Sequence, residues 1–112
     1  MKLVQKACME CREGTEALSA DKARELLKQL SGWEISRDGK WLHKSYKFKN
    51  FAEALAFMNR VGEIAEAENH HPDLKFGWGY ADISLQTHAA GGLHENDFIV
   101  AAKVDGLTAS RQ

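Results

Sequence analysis

The sequence predicts an α+β fold: a four-stranded antiparallel sheet with helices packed on one face, in the order α-β-β-α-β-β-α. Three observations predict it. Three segments space their apolar residues three and four apart, which is the period of one helix face. Two other regions hold short apolar strands around glycine-containing turns, the pattern of hairpins. Hairpins joined through helices pair their strands antiparallel and leave one sheet face for the helices to cover.

The first helix is expected from about Ser19 to Leu30. Ser19 is a favourable N-cap, and Ala23, Leu26, Leu27 and Leu30 fall on one face. Gly32 stands just beyond, where a left-handed residue closes many helices. Trp33 and Ile35 share one face of a short strand, and Asp38-Gly39 is a two-residue turn signal of type I′. The partner strand should run from about Lys40 to Phe48. Leu42, Tyr46 and Phe48 have one parity there, and Lys44 interrupts it, as in a partly exposed strand. Asn50 followed by Glu53 makes a capping box. It opens a helix to about Glu68, with an apolar stripe of Phe51, Ala54, Leu55, Met58, Val61 and Ala65 that Phe57 and Ile64 widen. Pro72 lacks an amide proton and constrains its predecessor, so no helix crosses it. Phe76 and Trp78 mark a third strand, with Gly77 and Gly79 free to turn. Ala81, Ile83, Leu85 and Thr87 alternate with Asp82, Ser84, Gln86 and His88, a half-buried strand with one polar face. After a loop at Ala89–Gly92, a last helix is expected from about Glu95 to Asp105. Leu93 and Phe98 form a hydrophobic staple across an N-cap at His94, Asp97 suits the helix dipole, and Gly106 ends the helix.

Composition narrows the function. At 112 residues the chain predicts one domain, placed at residues 18–107 between a mobile N-terminal extension (1–17) and a frayed tail (108–112). Fifteen Lys and Arg against sixteen Asp and Glu argue against nucleic-acid binding by bulk electrostatics. No apolar run approaches the ~18 residues of a membrane span, and the first residues lack the apolar stretch of a secretory signal. A cytoplasmic location is therefore expected, with Cys8 and Cys11 as reduced thiols in the mobile extension. Their C-x-x-C spacing leaves a redox or metal role as the alternative, although a structural zinc site needs further ligands.

Four of the five histidines lie between positions 70 and 94. His43 reads as a surface or satisfied polar residue and His94 as a cap. His70 and His71 stand where a helix stops before Pro72, and Glu66 lies four residues before His70, within reach if the helix persists. His88 ends the half-buried strand with polar-face parity, and Asp97 is close enough in sequence to meet it across the loop. Three imidazoles and two carboxylates can thus converge on one pocket. Imidazole titrates near neutrality and can both donate and accept protons. On spacing alone three readings stay open: separate surface histidines with a helix-stop role, a histidine-rich metal site, and acid–base catalysis.

The run Glu66-x3-His70-His71-Pro72, an aromatic at Trp78, Thr87-His88, and Asp97 nine residues later resembles the pterin-4a-carbinolamine dehydratases, as does the stretch Phe51–Pro72 leading into it. The resemblance covers about Leu18 to Gly106. His94 departs from the Ser or Thr cap expected there, and Asn69 from the acid that some members carry. The resemblance implies an α+β fold with a four-stranded antiparallel sheet. It also implies loss of water from 4a-hydroxytetrahydropterin to give quinonoid dihydropterin, a step in recycling the cofactor of aromatic amino acid hydroxylases. Pterin is then the substrate, with no cofactor and no metal. The roles expected under it are proton transfer by His70 and His88, and binding and polarisation by His71. Glu66 would orient His70, Asp97 would support His88, and Pro72 with Thr87, His88 and Ala89 would shape the pocket. Trp78 is equally a core residue or a pterin platform. The expected partners are other copies of the chain, as dimer or tetramer, and functionally an aromatic amino acid hydroxylase, with no direct nucleic acid and no membrane. A protein-binding coactivator or dimerisation module of the same fold is the rival reading.

Overall fold

Ser19 starts the first helix as expected: its hydroxyl accepts the amide of Lys22 at 3.1 Å, and α1 (Ala20–Leu27) follows. The computed structural model describes residues 2–10 and 14–109. After α1 come β1 (Glu34–Ile35), β2 (Leu42–Lys47), α2 (Phe51–Glu68), β3 (Asp73–Gly77), β4 (Tyr80–Leu85) and α3 (Glu95–Ala109), in the predicted order. The strands form one antiparallel sheet in the order β1-β2-β4-β3.

Register sets the core. Leu42 faces Leu85, Lys44 faces Ile83 and Tyr46 faces Ala81 across β2 and β4, so one parity of both strands points to the helices. Leu42, Ile83, Leu85, Val61, Phe98, Val100 and Val104 are fully buried in that layer. Each such side chain contributes about 1.5–3 kcal/mol. That burial, more than helix propensity, holds α2 and α3 on the sheet. The other face carries His43, whose ring nitrogens meet Ser84 Oγ at 2.9 Å and Ser45 Oγ at 3.1 Å.

Several expectations are corrected. The first helix stops at Leu27 instead of Leu30, because its last turn tightens into bonds from Lys28 to Glu25, Gln29 to Leu26 and Leu30 to Leu27. The first hairpin does not use a type I′ turn, which needs positive φ at both central residues. Gly39 has φ 74°, but Asp38 does not adopt positive φ, and Gly39 N donates to Ser36 O at 2.9 Å. Asp38 stabilises this form by accepting from Lys40 N at 3.0 Å and Ser36 Oγ at 2.6 Å. The second strand is partly exposed as expected, although Lys44 itself has the helix-facing parity. The Lys44 ammonium reaches Ser31 O at 2.6 Å and Asp105 Oδ1 at 3.3 Å, and Asp105 also accepts from Trp33 Nε1 at 2.8 Å. Asn50 caps α2 by accepting from Glu53 N at 2.9 Å, but its stripe is rotated from the expected one. Phe57 turns inward against Tyr46 and Phe48 (ring centroids 4.6 and 5.1 Å), which leaves Phe51 45% and Leu55 39% exposed.

Gly106 does not end α3, which continues to Ala109. Leu107 packs against the core and Thr108 Oγ1 donates to Asp105 O at 3.0 Å, offsetting the ~1 kcal/mol a helical glycine costs. Thr108 and Ala109, expected in the tail, therefore belong to a helix; residues 110–112 lie outside the described residues. The described part of the segment expected as a mobile extension lies against α3. Leu3 is 1% exposed and its amide donates to Gln29 Oε1 at 3.0 Å, while Leu18 N donates to Leu93 O at 2.8 Å. Cys11 lies outside the described residues. Among those described, no helix is long and apolar enough to cross a membrane.

Candidate active site

The site is set by how α2 ends. Asn69 adopts φ 51°, ψ 42°, its amide donates to Glu66 O at 3.3 Å, and His70 N donates to Ala65 O at 3.2 Å. This is a Schellman motif with asparagine at the left-handed position, a place Asn tolerates better than most residues. The reversal carries His70 off the helix axis before Pro72 directs the chain into β3. His70 is therefore not one helical turn beyond Glu66 on a shared face.

The carboxylate pairings change accordingly. His70 Nε2 lies 2.6 Å from Asp97 Oδ1, so Asp97 supports His70, not His88. Glu66 bonds His71 Nε2, not His70. Asp97 is fully buried, and its other oxygen accepts from Thr87 Oγ1 at 2.9 Å and from His94 N at 3.0 Å. Asp97 thus does two jobs: it closes the first turn of α3 as a capping-box residue and holds an imidazole. His94 completes the cap, its Nδ1 accepting Asn96 N at 3.1 Å, in place of a Ser or Thr hydroxyl. Thr87 is held by paired backbone bonds with Gly92, which aim its hydroxyl inward.

His88 opens a 3-10 turn (His88–Ala90) closed by Gly91 at φ 69°. It is exposed, with Nδ1 3.3 Å from Gln86 Nε2. His70, His71 and His88 line one cleft of about 530 Å³ together with Gln86, Thr87 and Ala89. Cys8, Met9, Glu10 and Asn96 also line it. Pro72, Glu66 and Asp97 are not in its walls: Pro72 shapes the backbone and the two carboxylates act on imidazoles. Trp78 is not core and does not line the cleft. It is 73% exposed at the turn after β3, a strand's length of roughly 17 Å from His71.

A larger cleft of about 850 Å³ lies between α1 and the first hairpin, lined by Arg24, Trp33, Arg37 and Lys40 among others. It holds no histidine, so the smaller cleft is where neutral-pH proton transfer can occur. Among the described residues no three His, Cys, Asp or Glu side chains converge as a metal-ligand set. Burial and the Glu68 carboxylate push the Cys8 thiol up to about 12, and it donates to Asn96 O at 3.6 Å. A protonated thiol is a poor nucleophile and metal ligand. Sequence reasoning missed the wall at residues 8–10 and Asn96, since a polar stretch without periodicity carries no signal for a tertiary contact.

Comparisons with known proteins point to one family. The family model for pterin 4 alpha carbinolamine dehydratase matches residues 16–107. The chain is 48% identical over 109 residues to a Halorhodospira halophila protein, covering 97% of this chain and 100% of that one. It is 50% identical over 105 residues to one from Rubrobacter xylanophilus, covering 94% and 97%. Both bear the provisional name pterin-4-alpha-carbinolamine dehydratase. The fold is similar to a crystal structure of a Brucella melitensis transcriptional coactivator/pterin dehydratase, with TM-score 0.77 at 30% identity, covering 82% of this chain and 98% of that chain. It is also similar to a pterin dehydratase-like protein described as a RuBisCO assembly factor in the alpha-carboxysome, with TM-score 0.60 at 27% identity, covering 71% and 93%.

Proposed function

Since the chain belongs to the pterin 4 alpha carbinolamine dehydratase family, we propose that it converts a 4a-hydroxytetrahydropterin to quinonoid dihydropterin and water by acid–base catalysis in the histidine cleft. The observation that carries this reading is that His70, His71 and His88, from two separate stretches of chain, line a single cleft.

The reaction breaks the C4a–O bond and forms the C4a=N5 double bond. The N5 lone pair supplies the electrons, an acid protonates the departing hydroxyl, and a base takes the N5 proton. Each well-placed group contributes about 10²–10⁴-fold. His70 and His88 perform the two transfers. The buried Asp97 carboxylate fixes the orientation and tautomer of His70 and stabilises its imidazolium. His88 is exposed and exchanges protons with water between turnovers. His71, held by Glu66 at the cleft rim, binds and polarises the pterin. The step needs no metal or further cofactor, because imidazole supplies both acid and base. Its substrate is the spent, hydroxylated form of an aromatic amino acid hydroxylase's cofactor, and loss of water leaves the oxidation level unchanged, so in this reading the step belongs to tetrahydropterin recycling.

A homo-oligomer, dimer or tetramer, is part of this reading. The edge strand β3 and the exposed Phe51, Leu55 and Leu74 offer an apolar margin for a protein contact. The same margin favours a second reading, a protein-binding role like those named for the two structural neighbours. Generating the 4a-hydroxy adduct enzymatically and following its decay with and without the protein tests the first reading. The decay should accelerate, and the double variant His70→Ala/His88→Ala should abolish the acceleration while keeping the fold. An unaltered decay rate with wild-type protein would leave the protein-binding role in its place.

A further inference from the structure

We propose that residues 8–10, held by Asn96, are a substrate-contacting wall of the cleft that the histidines line, and that Met9 on this wall sets which C6-substituted pterins are accepted. The inference rests on the pterin reading above and adds a specificity element to it.

The wall is a built feature. Asn96 is 2% exposed and its side-chain amide brackets the Met9 backbone: Oδ1 accepts from Met9 N at 3.0 Å and Nδ2 donates to Met9 O at 2.7 Å. Cys8 N donates to Glu68 Oε1 at 2.8 Å, and Lys6 Nζ pairs with Glu95 at 2.8 Å. These links tie the segment to the end of α2 and the first turn of α3, the two elements that position His70. Adjacent residues of α3 therefore hold two parts of one cleft: Asn96 the wall and Asp97 the imidazole.

Packing alone does not require this arrangement. Leu3 already ties the N-terminal segment to the core at 1% exposure, whereas Met9 is 64% exposed at the cleft. The histidine side is polar and suits the reacting edge of a pterin. The wall presents a thioether, whose flexibility and polarisability suit a flat ring and varied substituents. A wall that touches substrate equally in ground and transition states changes KM and not kcat.

The test uses the full-length chain as wild type, Asn96→Ala, Asn96→Asp and Met9→Gly. Dehydration is followed for 4a-hydroxytetrahydropterins with and without a C6 side chain, and equilibrium binding is measured with the matching 7,8-dihydropterins. Asn96→Ala should raise KM and weaken binding about five- to tenfold, the equivalent of about one net hydrogen bond, with kcat nearly unchanged. Asn96→Asp keeps the bond to Met9 N and should recover part of the loss. Met9→Gly should alter the preference between the two pterins. Unchanged KM, binding and preference in variants that melt like wild type would overturn the inference. A fall in kcat alone would also overturn it, by showing that Asn96 acts only through Asp97. If wild type binds pterins with this sensitivity but does not accelerate dehydration, the wall stands and the dehydratase reading falls. If it binds no pterin, both fall.

Discussion

Replacing Asp97 with Asn separates the two jobs of this carboxylate. Asp97 Oδ2 serves Thr87 Oγ1 (2.9 Å) and His94 N (3.0 Å), both donors, and Oδ1 serves His70 Nε2 (2.6 Å). An asparagine keeps one acceptor. Turned toward Thr87 and His94, it retains the cap and presents its amide N–H to His70. His70 must then accept at Nε2 and carry its proton on Nδ1, the opposite tautomer. A charge-assisted bond of about 1.5–3 kcal/mol becomes a neutral one of about 0.5–1.5 kcal/mol, so stability should drop by about 1 kcal/mol. For a domain of this size that lowers Tm by about 4–8 °C. Turnover should fall much further, by about 10²–10⁴-fold, because both the working tautomer and the imidazolium's counter-charge are lost. Asp97→Ala is the weaker test. It strands two buried donors at about 1–3 kcal/mol each, a large part of the ~5–15 kcal/mol of a typical domain. Adduct decay and urea unfolding should be measured on the same preparation. Turnover within about threefold of wild type, under 1 kcal/mol of barrier, together with the expected Tm loss, would refute the reasoning and leave Asp97 as a helix cap only.

The Glu66–His71 pair is solvent-exposed at both side chains (78% and 55%), so it contributes at most about 1 kcal/mol. Glu66→Gln should leave the urea midpoint unchanged and lower kcat/KM by less than about fivefold; a loss as large as that of Asp97→Asn would contradict the assigned roles. Tyr46 Oη is buried and meets no partner among the described residues. Tyr46→Phe should therefore be neutral or stabilising, by up to about 1 kcal/mol, and a destabilised variant would reveal a partner in solution. The Cys8 thiol, at about 12 in the folded chain against an ordinary 9.0, keeps a proton that the unfolded chain loses. Stability should accordingly fall as pH rises above about 9. Urea midpoints taken from about pH 8 to about 10.5 should decline more steeply for wild type than for Cys8→Ser; parallel declines would show that burial does not restrain the thiol.

Local chemistry was legible from residues alone. Ser19 and Asn50 cap helices wherever a side-chain oxygen meets free amides, and the parity of Ala81, Ile83, Leu85 and Thr87 places a strand's buried face without knowledge of its neighbours. The set of site histidines was legible too, through the spacing of Glu66, His70, His71, His88 and Asp97 and its family resemblance. Long-range pairing was not. Which carboxylate serves which imidazole depends on a single left-handed residue, Asn69, which ends α2 and swings His70 over to Asp97. Lys44 reads only as a break in its strand's apolar parity until Asp105, 61 positions away, is placed beside it. Residues 8–10 become a wall only once Asn96, 87 positions from Met9, reaches them. Caps and strand parity are decided by bonds a few residues long. Contacts between distant segments are decided by how the layers stack, and the chain's order of residues does not encode that locally.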